Sequence, residues 1–172
     1  MYPLFCIVQM NQITGFLDGS NIYGSNVDKM RQLREFRGGR LRAQRSPTRR
    51  GQPLLMANPN ECQDQRTGAA CFLSGDGRVN EQPDLALMHT VWLREHNRVA
   101  NELARLHPEW SDEALYQEAK RVVVAEMQHI TYNEFLPLVL GKQSKIYCAI
   151  HFFLNFRLRN ETRYDKKLKL NL

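Results

Sequence analysis

The sequence has 172 residues, of which 42% are hydrophobic, and this length and composition suit one globular domain with a modest core. The formal net charge is +6, but residues 142–172 hold eight Lys+Arg against two Asp+Glu and therefore carry the whole excess. Polyanion binding by the neutral remainder loses most of its support, and no apolar run approaches the roughly 20 residues that span a bilayer.

The first segment, residues 1–9, is apolar but short, and it has neither a basic n-region nor a convincing cleavage site. We therefore predict no signal peptide. The polar stretch that follows, residues 14–20, contains Asp18-Gly19, which by itself indicates only a turn.

A short helix is predicted from Asp28 to about Phe36, with Gly38-Gly39 ending it. Residues 40–70 are rich in Arg, Pro, Gly and Asn and show no strand alternation, so we predict a long loop. Eight arginines lie between residues 31 and 50. Because they include only one RGG-like segment, a solvated loop is a better interpretation than a nucleic-acid patch.

Four cysteines are present. Cys62 and Cys71 enclose eight residues, a spacing that permits a short disulfide in an oxidising compartment. Cys6 and Cys148 have no obvious partner.

Two longer helices are predicted, over residues 84–106 and 111–135. Ser111 is a good N-cap for the second helix, and Pro137 and Gly141 are expected to end it. The apolar positions of the first helix recur at helical spacing at Leu85, Met88, Trp92, Val99, Leu103 and Leu106. Pro108 separates the two segments, so we predict a helical hairpin and a mainly α fold.

Five histidines invite an assignment as metal ligands. His89 and His96 share one face of the predicted helix, and we expect core histidines with a hydrogen-bonded ring nitrogen rather than ligands. His107 and His129 are expected at or near the surface. We assign no ligand role to His151.

The segment from Gly75 to Arg98 combines the turn Gly75-Asp76-Gly77-Arg78, Glu81 three residues later, and a helix that continues through Arg94-Glu95-His96-Asn97-Arg98. With this combination the chain resembles the animal haem peroxidases. The resemblance implies haem as cofactor, with Arg78 in the distal pocket stabilising charge on the departing peroxide oxygen. It also implies that Glu81 can be ester-linked to a haem methyl. Without the resemblance, these residues read as a solvated turn arginine and a first-turn carboxylate.

The resemblance has further implications. It assigns the loop of residues 14–20 to calcium, with oxygens of Thr14, Phe16, Asp18 and Ser20 as ligands. It implies a Cys62–Cys71 disulfide and an extracellular location. Gln82 stands where some members carry a methionine that forms a sulfonium link, so that link is not expected here.

The resemblance covers residues 11–141, flanked by a non-family segment, 1–10, and a basic, poorly patterned tail, 142–172. Neither the distal nor the proximal histidine motif of the family is found, so this chain offers no proximal haem ligand. We expect a fragment of an enzyme that reduces hydrogen peroxide and oxidises phenolic, tyrosyl or halide substrates, with little activity of its own. The alternative is a non-catalytic binding or decoy partner of the full-length peroxidase.

Overall fold

The computed structural model describes residues 13–47, 51–63 and 70–141, with the backbone alone for 59–63. The chain divides into two compact units, residues 1–127 and 128–172. Within the described ranges, the first unit holds the short helices α1 (Ser20–Tyr23) and α2 (Val27–Leu33), four short strands, a 3-10 turn (Gly77–Asn80) and α3 (Pro83–Leu106). Helix α4 spans Asp112–Ile130, and a π-helical turn (Thr131–Phe135) and α5 (Leu136–Leu140) follow it. The prediction of a mainly α fold is confirmed.

The helices begin where their capping chemistry predicts. The Asn26 side chain accepts the Lys29 N–H at 2.8 Å before α2, and Pro83 occupies the first turn of α3. The Ser111 hydroxyl accepts the Ala114 N–H at 3.3 Å at the start of α4. Pro137 does not end the second helical run as predicted; it lies in the first turn of α5, and Gly141, with φ 83°, follows the last helical residue.

The predicted loop of residues 40–70 is wrong in part. Strands β1 (Gln44–Arg45) and β2 (Pro53–Leu54) form one antiparallel ribbon, and β3 (Met56–Gln63) and β4 (Ala70–Leu73) form another. In the second ribbon Asn58 pairs with Cys71 and Gln63 with Ala70, with an irregularity between these pairs. Such short, irregular strands have too little apolar alternation for sequence periodicity to detect them.

The core of the first unit lies between the two long helices, α1 and the ribbons. Its buried members are Ile22, Tyr23, Leu33, Leu41, Leu55, Leu73, Val79, Leu93, Val99, Ala100, Tyr116, Ala119 and Val123. Both α3 and α4 contribute residues to this core.

The predicted apolar stripe of α3 is confirmed in part, since Val99 is buried and Trp92 and Leu103 pack against the core, but the buried face is rotated towards the histidines. The buried residues include His89, Leu93, His96 and Ala100, whereas Met88 is 49% exposed and Leu106 60%. The histidine face points inward; both ring nitrogens of His96 and Nδ1 of His89 have hydrogen-bond partners there. No helix in the described ranges is both long and apolar enough to cross a membrane.

Candidate functional site

The turn that leads to Arg78 lies directly on helix α1. The Asn21 carbonyl accepts the Asp76 N–H at 3.0 Å and the Ser74 hydroxyl at 3.2 Å. A Cβ added to Gly75 would lie 2.5 Å from the Gly24 nitrogen and 2.7 Å from the Asn21 oxygen. Only glycine permits this close approach, so Gly75 fixes where the turn begins.

Asp76 holds Arg78 in place. Its carboxylate accepts the Arg78 N–H at 2.9 Å, Nε at 3.1 Å and the terminal Nη2 at 2.8 Å. This bonding raises the pKa of Arg78 and lowers the pKa of Asp76. The Arg78 side chain remains 63% exposed, while its neighbour Val79 is buried and anchors the 3-10 turn. A permanently charged guanidinium is therefore presented at the surface in a constrained orientation.

Glu81 follows directly after this turn. Its backbone N–H donates to the Arg78 carbonyl at 3.0 Å, and its exposed carboxylate contributes to the raised pKa of Arg78. The two predicted haem-pocket residues are therefore close in space and both solvent-accessible. Gln82 is extended and precedes the first residue of α3.

The predicted calcium loop gathers three of its four residues. The Thr14 hydroxyl donates to Asp18 Oδ1 at 2.9 Å and lies 2.8 Å from the Ser20 hydroxyl, and Asp18 Oδ1 also accepts the Ser20 N–H at 3.0 Å. Burial would raise the pKa of Asp18, but the hydrogen bonds from Thr14 and Ser20 outweigh it and lower the pKa. The side chain of Phe16, which could offer only a carbonyl oxygen, is 71% exposed. This donor set of hydroxyls and one carboxylate suits a hard cation.

His96 is the centre of a buried cluster that sequence reasoning did not foresee. The Tyr23 hydroxyl lies 2.9 Å from Nδ1 of His96, and Nε2 lies 2.9 Å from the Gly39 carbonyl. A carbonyl can only accept, so Nε2 carries the proton and Nδ1 accepts from tyrosine. The ring also meets that of Tyr116 edge-on, with centroids 5.5 Å apart. Burial lowers the pKa of His96 to about 4.

His89 is buried as well. Its Nδ1 donates to the Leu85 carbonyl at 2.7 Å, and its Nε2 has no partner among the described residues. The adjoining cavity is only about 10 Å³, enough for a water at most. The expectation that His89 and His96 are core histidines with a hydrogen-bonded ring nitrogen is confirmed.

Arg34 contradicts the expectation that the arginines of residues 31–50 are simply solvated. It is 6% exposed, donates to Asp112 at 2.7 Å and to Glu113, and lies over the Tyr116 ring at 4.0 Å. Asp112 also accepts the Gly39 N–H at 2.7 Å. The start of α4 is thus bound to the segment after α2, a pairing across more than 70 residues that local pattern cannot reveal.

Cys71 is disulfide-bonded. The side chain of Cys62 lies outside the described residues, although the register of β3 and β4 places its backbone next to the Gln63–Ala70 pair. Among the residues described, there is no cluster of three or more His, Cys, Asp or Glu that could hold a metal ion.

The model of the animal haem peroxidase family matches residues 6–172. The chain belongs to the animal haem peroxidases. It is 49% identical to the chorion peroxidase of Drosophila melanogaster over 135 residues, which cover 78% of this chain and 17% of that protein. It is 44% identical to the human peroxidasin homolog over 140 residues, which cover 78% of this chain and 10% of that protein. It is 42% identical to lactoperoxidase of Mesocricetus auratus over 142 residues, which cover 78% of this chain and 20% of that protein.

Solved structures agree with this membership of the haem peroxidases. Peroxidase A from Dictyostelium discoideum matches with a TM-score of 0.63 and 33% identity, over 71% of this chain and 24% of that one. A fatty acid alpha-dioxygenase from Oryza sativa matches with a TM-score of 0.61 and 27% identity, over 77% and 19%. The chain spans a fifth or less of the length of these curated relatives. The predicted family and its helical fold are confirmed.

Proposed function

We propose that this chain supplies the distal arginine and the ester-forming glutamate of a haem peroxidase that reduces hydrogen peroxide and oxidises phenolic, tyrosyl or halide substrates, in an extracellular setting. The observation that carries the proposal is the constrained exposure of Arg78 beside Glu81 in a chain of this family. When bound, haem supplies the redox chemistry. The residues described here fit its periphery, since they offer a cation and a carboxylate in one turn.

Arg78 is suited to stabilise the negative charge that develops when a peroxide O–O bond breaks. Its guanidinium keeps its proton, and the Asp76 carboxylate restricts its orientation in advance of the reaction. Arg78 therefore acts by electrostatics and does not transfer a proton. We assign proton transfer to a histidine in another part of the protein, because both ring nitrogens of His96 are hydrogen-bonded and the buried Nε2 of His89 adjoins a cavity of only about 10 Å³.

The role of Arg78 is testable in a chimeric protein in which residues 11–141 replace the matching segment of Drosophila chorion peroxidase. We expect peroxide-dependent guaiacol oxidation, and Arg78→Ala should lower kcat/KM for hydrogen peroxide by about 100-fold or more, the usual effect of removing a preorganised charge-stabilising donor. Arg105→Ala is the matched control, because Arg105 is equally exposed and paired with Glu102. An equal, small effect of both substitutions contradicts the assignment.

Glu81 is tested in the same chimera through the haem itself. We expect haem to stay with the polypeptide during acid–butanone extraction and to be released from Glu81→Gln, because an amide cannot form the ester. The Soret band before extraction serves as the control for haem uptake. If haem is extracted equally from both proteins, Glu81 does not form the ester.

The 172-residue chain alone is proposed to have little turnover. After reconstitution with haemin it should oxidise guaiacol no faster than free haemin. A Soret band with histidine-ligated features together with faster oxidation contradicts this.

We further propose that Thr14, Phe16, Asp18 and Ser20 bind calcium in the complete protein, and that Cys62 pairs with Cys71. The Thr14 hydroxyl oxygen lies 2.9 Å from Asp18 Oδ1 and 2.8 Å from the Ser20 hydroxyl oxygen, which supports the first proposal. The bonded state of Cys71 supports the second.

A further inference from the structure

A wide groove lies on one side of the first unit, between residues 40–45, residues 51–56 and helix α3. Its volume is about 640 Å³, and the described residues that line it include Arg40, Arg42 and Arg45 and a single acidic residue, Glu35. It involves neither the turn of Arg78 nor the loop of residues 14–20.

The groove is held open by bonds between its walls and α3. The Asn97 side chain accepts the Leu41 N–H at 2.8 Å and donates to the Leu41 carbonyl at 3.0 Å, which fixes one wall. Arg94 Nε donates to the Pro53 carbonyl at 2.7 Å and fixes the other. Because these anchors satisfy backbone groups, the groove is formed before any ligand arrives.

The arginines of the groove are unequally neutralised. Arg40 makes a two-pronged pair with Glu35, with both N–O distances 2.9 Å. The Arg42 side chain makes one long bond, 3.4 Å, to the Gln32 carbonyl, and the Arg45 side chain has no hydrogen bond or ion pair within the part of the chain that the structure describes. Two exposed arginines that line the groove are therefore without an acidic partner among the described residues.

We propose that this groove binds an acidic peptide segment of a partner protein, with carboxylates paired to Arg42 and Arg45. The Glu35–Arg40 pair shows that the groove accommodates the fork geometry in which guanidinium groups recognise carboxylates. Pro53 and Met56 add apolar lining, which favours a peptide with side chains over a sulfated glycan. The binding is independent of haem, so it stands or fails separately from the peroxidase proposal.

The test uses the full 172-residue chain and a fluorescein-labelled hexaglutamate peptide, with binding measured by fluorescence anisotropy at low salt. Arg42→Glu with Arg45→Glu should weaken binding by about tenfold or more, as expected for the loss of two exposed charge pairs. Arg105→Glu with Arg121→Glu changes the net charge equally at exposed arginines outside the groove and should alter affinity less than twofold.

A second variant gives the opposite change, which misfolding cannot imitate. Glu35→Gln removes the one acidic side chain and frees Arg40, so hexaglutamate should bind more tightly, by about threefold. Unchanged affinity in the Arg42/Arg45 variant would place binding elsewhere, for instance on the basic segment of residues 142–172, and would overturn the proposal. A heparin hexasaccharide that binds more tightly than hexaglutamate and depends on the same arginines would also overturn it, in favour of a sulfated glycan.

Discussion

Protonation of His96 is expected to weaken the fold as the pH falls from 7 to 5. In the unfolded chain this histidine binds a proton near the ordinary histidine pKa of 6.5, whereas in the folded chain its pKa is about 4. Between these values the unfolded state binds more protons, so acid favours unfolding. The contribution of His96 to stability is thus complete above pH 6.5 and is lost as the pH falls towards 4.

The size of this effect follows from the shift. Lowering the pKa of His96 from 6.5 to about 4 corresponds to roughly 3 kcal/mol by pH 4, and about 2 kcal/mol of this is lost between pH 7 and pH 5. The physical cause is burial of an imidazole that is 0% exposed and whose Nδ1 already accepts from Tyr23. An added proton on Nδ1 would turn that accepted bond into a contact between two donors.

The assay is urea unfolding of the full chain, followed by circular dichroism at pH 7, 6 and 5. The parent should lose about 2 kcal/mol more than His96→Gln over this range, and His96→Gln should be the less stable of the two at pH 7. His107→Gln removes one histidine from the surface and should keep the slope of the parent. If the parent and His96→Gln lose the same free energy between pH 7 and 5, the reasoning is refuted.

Three other substitutions test the fold and the calcium loop. Gly75→Ala should cost about 1–3 kcal/mol in the free energy of unfolding, because its Cβ would meet backbone atoms of α1, whereas Gly77→Ala, with nothing within 4 Å, should cost less than about 1 kcal/mol. Asn97→Ala should lower the free energy of unfolding by about 2 kcal/mol, because two hydrogen bonds to the Leu41 backbone are lost. Asn101→Ala, which loses one exposed hydrogen bond of 3.5 Å, should be near neutral in the same urea titration. Calcium should bind the chain only weakly in isothermal titration calorimetry, with Kd about 10⁻⁴ M or above for a site with one carboxylate. Asp18→Asn should abolish the binding signal. Submicromolar binding, or binding that survives in the variant, contradicts the proposed ligands.

The long helices were predictable because their signals are local. Ser111, Pro83 and apolar residues at helical spacing place α3 and α4 to within one residue at their starts. The rotation of the buried face of α3 was not predictable, since it depends on partners for His96 that come from Tyr23 and Gly39. Hydrophobic periodicity reflects only the spacing of apolar side chains along the chain. It carries no information on the hydrogen bonds that join His96 to Gly39, 57 residues away, and to Tyr23, 73 residues away.

The candidate site also has features that could be predicted from the sequence and features that could not. The family resemblance identified Arg78 and Glu81 as site residues. The structure explains why a charged turn forms there, because Asp76 both caps the 3-10 turn and binds the Arg78 guanidinium. The burial of Arg34 could not be foreseen, because its partners Asp112 and Glu113 begin a helix far along the chain. Sequence indicates which groups are charged, whereas tertiary structure decides which of them are neutralised.

The shared carbonyl of Asn21 has a consequence for how substitutions combine. It joins the helix that follows the Asp18 loop to the turn before Arg78, two segments more than 50 residues apart in sequence. Because the acceptor is a backbone carbonyl, its presence does not depend on the side chain at residue 21, whereas its position depends on where α1 lies. A substitution that displaces α1 should therefore displace the turn before Arg78 as well, and paired substitutions in the two segments should show epistasis rather than simple addition.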